Sequence, residues 1–134
     1  MEKEQLCACH SGQLYKICCS VYHKGILPEN ALQLMRSRYC AYALGLSDYI
    51  IETTNPDHSA YKKDREIWVS DILAFSKNTQ FVGLEILEFQ YGVTEAYVTF
   101  RAILKQAGRD ASFSERSCFF KKAGRWVYAD GVVA

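Results

Sequence analysis

What this sequence has least of is charge of one sign. Sixteen Lys and Arg stand against fifteen Asp and Glu in 134 residues, a net charge of +1. No global field therefore draws the chain to nucleic acid, an anionic membrane surface or an acidic substrate. Long apolar runs are missing too, since none approaches the roughly 18 residues of a membrane-spanning helix. The opening Met1-Glu2-Lys3-Glu4-Gln5 lacks the basic-then-apolar order of an export signal, which leads us to expect a cytoplasmic protein. Proline occurs only twice, and no repeat or low-complexity tract is visible. With 49% hydrophobic and 23% charged residues, the composition excludes wholesale disorder and suits one ordinary domain with a small appendage.

The unusual component is cysteine. Four of the six cysteines fall within the first 19 residues, as Cys7-Ala8-Cys9 and Cys18-Cys19 separated by eight residues. In a reducing compartment such clusters bind metal or do redox chemistry. Two close pairs, with the reversal that Ser11-Gly12 permits between them, bring four thiolates to one ion. Zinc suits such a set because it takes four tetrahedral ligands and favours sulfur. A closed shell leaves no position for water, so the expected cofactor is one structural Zn2+ per chain. The rival readings are an iron–sulfur site, whose common spacings do not match, and a redox dithiol, whose usual C-x-x-C is missing. His10 and His23 are alternative nitrogen ligands or residues just outside the metal shell. Residues 1–25 hold too few aliphatics for a core of their own and need such a cross-link to fold.

After Pro28, placed to open a helix, Leu32, Met35, Tyr39, Tyr42 and Leu46 recur at helical spacing up to Gly45. Ser47 is placed to cap a short helix through Thr53, and a third helix is predicted over about 63–76, with Trp68, Ile72 and Phe75 on one side. Beyond Thr79 the period becomes two. Ala96, Val98, Phe100, Ala102 and Leu104 alternate with outward residues, and 80–91, 111–121 and 125–130 are also strand-like. Gly92, Gly108 and Gly124 punctuate the strands at 16-residue intervals, as in an antiparallel meander. The expected fold is α+β: three helices packed on a curved antiparallel four-stranded sheet, residues 28–134, behind a zinc-binding knob, residues 1–25.

The C-x-C-x8-C-C spacing, with Ser11-Gly12 and Tyr15-Lys16 between the pairs, resembles the SEC-C motif of the tail of the SecA preprotein translocase ATPase. There the last ligand is His or Cys, the place Cys19 holds here. The order continues with Leu34 to Tyr42, Asp48-Tyr49, Thr53 to Pro56, Glu115-Arg116-Ser117-Cys118-Phe119 and Gly124 to Tyr128. Over nearly the whole chain it resembles the YchJ-like family of uncharacterised bacterial proteins. The resemblance implies a SEC-C segment followed by a cone like that of nuclear transport factor 2. It also implies a protein partner for the knob of the translocation, chaperone or ribosome-associated kind. Ser114 stands where the family commonly has His, so no acid–base role of that His carries over.

Groups able to do chemistry in the main domain are few, and no residue is singled out as catalytic. His58 lies in a polar loop. Glu115 and Arg116 alternate on a strand and so face opposite ways, one of them inward toward a buried Arg such as Arg36 or Arg38. Two Arg two apart on a helix point in different directions, which weakens an anion-binding reading of Arg36-Ser37-Arg38. Arg36, Arg38, Tyr39, Trp68, Glu115, Arg116 and Trp126 are the candidates for lining a pocket. Lys121, Lys122 and Arg125 mark a solvated hairpin tip, and Cys40 and Cys118 read as small core residues. The leading expectation is a zinc-bearing adaptor whose knob presents a docking surface. The alternative is a small-molecule-binding or enzymatic cone, with an isomerase- or dehydratase-like pocket. A deep cavity with converging polar groups favours the second, a filled core the first.

Overall fold

The computed structural model describes residues 5–133. The knob starts as a narrow loop closed by a bridge between Leu6 and Leu14, with Cys7 N donating to Gln13 O and Tyr15 N to Gln5 O, each at 2.8 Å. A 3-10 turn, Tyr15–Ile17, and a five-residue helix α1, Cys19–His23, complete it. The sequence reading did not resolve this short helix. No helix among the described residues is long and apolar enough to cross a membrane.

Helix α2 spans Ala31–Leu44. Asn30, rather than Pro28, starts it, because its side chain accepts the Gln33 N–H at 2.9 Å and satisfies an otherwise orphan donor. Gly45 ends it, as the sequence predicts. Helix α3, Ser47–Glu52, has Ser47 inside its first turn and Leu46 at the cap position, so the expected serine cap is not made. Helix α4, Arg65–Asn78, starts two residues later than predicted because Asp64 caps it through Glu66 N at 2.8 Å.

The sheet runs β1 (Gln80–Gln90), β2 (Glu95–Gln106), β4 (Phe113–Lys122), β5 (Arg125–Val133), all antiparallel neighbours in that order. A two-residue strand β3, Arg109–Asp110, folds back on the end of β2 and adds a fifth strand to the four expected. Ala107-Gly108 and Ala123-Gly124 form the two-residue turns, and all four residues have positive φ. Turns of that hand match the twist of the flanking strands, which explains the glycine at each second position. Register shifts at Val82 and Leu87 on β1, and after Cys118 on β4, bend the sheet.

The predicted alternation of β2 is realised. Ala96, Val98, Phe100, Ala102 and Leu104 are buried and join Met35 and Tyr39 of α2 and Phe119 and Trp126 across the sheet. A second cluster gathers Ala41, Ile50, Ile51, Trp68 and Ile72 where the helices meet. Phe119 is 1% exposed and the largest fully buried side chain. Phe119→Ala is therefore expected to cost about 3–5 kcal/mol of stability in urea denaturation. A loss below about 1 kcal/mol would show that the sheet core collapses around the gap.

Candidate functional site

The loop and α1 bring the four knob cysteines together. The Sγ atoms of Cys7, Cys9, Cys18 and Cys19 all lie within 4.8 Å of one another. Cys9 and Cys18 are 3.6 Å apart. Four sulfurs at ~2.3 Å from one ion would stand about 3.8 Å from each other, so this is the spacing of a closed tetrahedral site. Cys7, Cys9 and Cys19 are buried, and Cys18 takes a contact from Ser11 Oγ at 3.2 Å. None of the six cysteines is in a disulfide.

The thiols share protons. Burial pushes Cys7 up to about 12. Hydrogen bonding from Cys19 draws Cys9 down to about 4, and Cys19 itself is raised because it gives its proton to Cys40 and Cys9. A soft cation displaces such protons and is held by all four sulfurs, which makes the cluster a metal site by its donor chemistry.

Around the cluster, three pins fix the knob to the main domain. Arg36 of α2 donates to Cys9 O at 3.0 Å. His10 Nε2 lies 3.2 Å from Phe81 O on β1. His23 Nε2 lies 2.9 Å from Ser37 O and its Nδ1 2.8 Å from Tyr15 Oη. Because a carbonyl only accepts, His23 carries its proton on Nε2, and Nδ1 takes the Tyr15 hydroxyl. Both nitrogens are thus engaged away from the cysteines, and His10 reaches β1, so neither imidazole completes the thiol cluster.

A second feature lies on the other side of α2. Between that helix, α4 and the concave sheet is a cavity of about 450 Å3. Its walls are aromatic, including Tyr39, Trp68, Phe75, Phe100 and Phe119, and its polar groups include Arg38, Tyr42, Glu115, Ser117, Tyr128 and the exposed Lys63–Asp71 pair. The volume is that of an ordinary small-molecule site.

The family model of the YchJ middle NTF2-like domain matches residues 30–131. The chain belongs to the YchJ-like family. A UPF0225 protein of Actinobacillus succinogenes is 38% identical over 133 residues, covering 96% of this chain and 82% of that protein. A SEC-C motif containing protein of Rhodopseudomonas palustris, solved in solution, superposes with a TM-score of 0.81 at 34% identity, over 94% of this chain and 96% of the other. The crystal structure of a SEC-C motif containing protein of Psychrobacter arcticus gives 0.77 at 28% identity, over 97% and 83%.

In this YchJ-like chain, the residues proposed from sequence as pocket-lining divide. Arg38, Tyr39, Trp68 and Glu115 line the cavity. Arg36 turns the other way and serves the knob. Arg116 lies outside, stacked 3.9 Å over the Tyr97 ring and bonded to Gln90. Trp126 is 3% exposed in the core and donates to Glu29 O at 3.3 Å. Glu115 does not pair with a buried Arg; among the described residues its carboxylate accepts from Ser117 Oγ and from Tyr128 Oη. His58 accepts the Ala60 N–H in its loop.

Cys40 is the small core residue that the sequence predicts, but its place beside the thiol cluster was not legible there. It is fully buried, packs with Cys7, Cys9 and Cys19, and stands 3.7 Å from Cys7 Sγ. The signal for it lay three-dimensionally, in α2 passing beneath the knob, and no sequence spacing could show it.

Burial lowers the His23 imidazole from its ordinary 6.5. The unfolded chain takes up a proton near that value which the folded chain refuses, so stability is present above it and lost as pH falls below it. The thermal transition should therefore drop more steeply between pH 7 and 5 in the wild type than in His23→Gln. Equal slopes would show that His23 titrates without strain on the fold.

Proposed function

We propose that the chain is a zinc-stapled binding protein in which the metal is structural and the cone holds a small organic molecule. The observation that carries this reading is the aromatic cavity of about 450 Å3 with Arg38 and Glu115 in its lining. A core meant only to be a scaffold is close-packed, whereas here the rigid rings of the two layers leave room between them. Indole, a neutral flat probe, tests it. Amide shifts at Trp68, Phe100 and Phe119 should move on titration, and Ala102→Phe should abolish them without lowering the thermal transition by more than a few degrees. Unmoved resonances at millimolar indole would rule out the cavity as a binding site.

For the metal, we assign Zn2+ on Cys7, Cys9, Cys18 and Cys19. Four thiolates match it and leave no open position for chemistry. Unbridged cysteines throughout favour a reducing compartment, the cytoplasm. Elemental analysis of protein purified without chelators should find one zinc per chain. Cys18→Ser should lose the metal and loosen the knob while the cone still melts cooperatively. Iron in place of zinc, or loss of the whole transition, would overturn the assignment or the independence of the cone.

The adaptor reading stands second. It is favoured by Leu6, Ile17, Ile26 and Leu27, each more than half exposed on or next to the knob. By resemblance, the partner is a translocation, chaperone or ribosome-associated protein.

A further inference from the structure

The lining of the cavity includes two opposite charges that do not neutralise each other by contact. Arg38 is 8% exposed on α2. Its Nη1 donates to Ile50 O at 3.0 Å, Thr53 Oγ1 at 2.8 Å and Thr54 Oγ1 at 3.1 Å. The guanidinium stacks 4.7 Å from the Tyr128 ring centre. Among the described residues its Nε and Nη2 find no acceptor, and no ion pair joins Arg38 to Glu115. Neither atom is sealed from solvent, since among the described residues the orphaned buried side-chain donor is Arg125 Nε, so these Arg38 donors are open to a ligand in the cavity.

Glu115 is arranged in the complementary way. Both bonds it accepts, from Ser117 Oγ and Tyr128 Oη, fall on Oε2, and Oε1 takes none from the described residues. Burial first, and the Glu115 charge second, hold the Tyr128 phenol well above its ordinary range, so it stays a donor. The carboxylate is also positioned by an absence. A Cβ at Gly131 would overlap Glu115 and stand 2.8 Å from Tyr128 Oη, so only glycine there leaves this geometry intact.

An idle acceptor and idle donors thus line one aromatic cavity, with a net charge of zero between them. A ligand acid would meet Arg38 favourably and Glu115 unfavourably; a ligand amine would meet the reverse. A neutral ligand that carries both an N–H and a C=O offers each group a matching partner without an unfavourable charge. We propose that the cavity receives a flat aromatic amide or lactam, its N–H donating to Glu115 Oε1 and its C=O accepting from Arg38. This rests on the small-molecule reading above and adds the chemical class of the ligand.

The test compares three probes with one ring system: 2-naphthamide, 2-naphthoate and 2-naphthylmethylamine, titrated calorimetrically into the full zinc-loaded chain at pH 7. 2-Naphthamide should bind at least about tenfold more tightly than either charged probe. In Glu115→Gln, which keeps the side chain's shape, naphthoate should gain about tenfold and the amine should weaken. The ranking in the unaltered chain needs no variant to fold. Naphthoate or the amine binding tightest, or all three binding alike, would overturn the ligand class while leaving the cavity a binding site. No binding by any probe, together with unmoved resonances in indole, would remove both.

Discussion

Helix α2 has almost no surface of its own, and the rest of the molecule follows from that constraint. Of Ala31–Leu44, only the last residue is exposed. One side meets the sheet through Met35 and Tyr39, another meets the helices through Ala41, and a third meets the knob through Ser37 and Cys40. A helix so enclosed leaves little water to its polar side chains, which find most of their partners inside. The three consecutive polar residues Arg36-Ser37-Arg38 do so in three directions. Arg36 goes to Cys9 O, Ser37 Oγ to Tyr49 Oη at 2.7 Å, and Arg38 to the end of α3. The metal cluster and the cavity are thus built on opposite sides of one helix by residues two apart.

This arrangement explains what was legible in the sequence and what was not. The alternation of β2 was readable because a half-buried strand writes its two environments into every second residue. The four-cysteine cluster was readable because its ligands are close along the chain. The place of Cys40 beside it was not, because its companions Cys7, Cys9 and Cys19 lie 21 to 33 residues earlier and meet it only by packing. The apolar spacing of α2 gave its sheet-facing side correctly, but a single-stripe reading assumes that the opposite side faces water. Here the knob covers it, so Arg36, a pocket candidate by sequence, reaches Cys9 O instead, and Ser37 is fully buried. Glu115 and Arg116 separate inward and outward as strand geometry requires, yet the inward carboxylate's partners proved to be Ser117 and Tyr128. Both sit on the sheet itself, and the expected helix arginine spends its Nη1 on backbone and threonine oxygens instead.

The open interior was beyond sequence reading for a different reason. Aromatics at core spacing normally fill a core, and the same residues would be expected whether the centre is full or hollow. What decides is the curvature of the sheet. The extra residues Val82 and Leu87 on β1 leave the ladder and point outward, 48% and 57% exposed, and the strand bends at each. Rigid rings on a bent sheet touch edge to face, as Phe100–Phe113 and Phe119–Tyr128 do, and cannot flow into the remaining space. Leucines in those places would adapt and close it.

The knob also changes meaning once α2 is seen as its base. A segment this poor in aliphatics cannot cover a helix face by hydrophobic burial, so it does so with sulfur and with hydrogen bonds from His10, His23 and Arg36. Each of those bonds needs the loop held in one conformation, and the entropy of holding some twenty residues exceeds what three hydrogen bonds return. The four thiols supply the missing constraint when a metal gathers them. The segment that looks like an appendage in the sequence is therefore the fourth wall of the main domain. Its exposed apolar residues, Leu6 and Ile17, are the outer face of that wall, held in place by the same cluster that shields Cys40 beneath it.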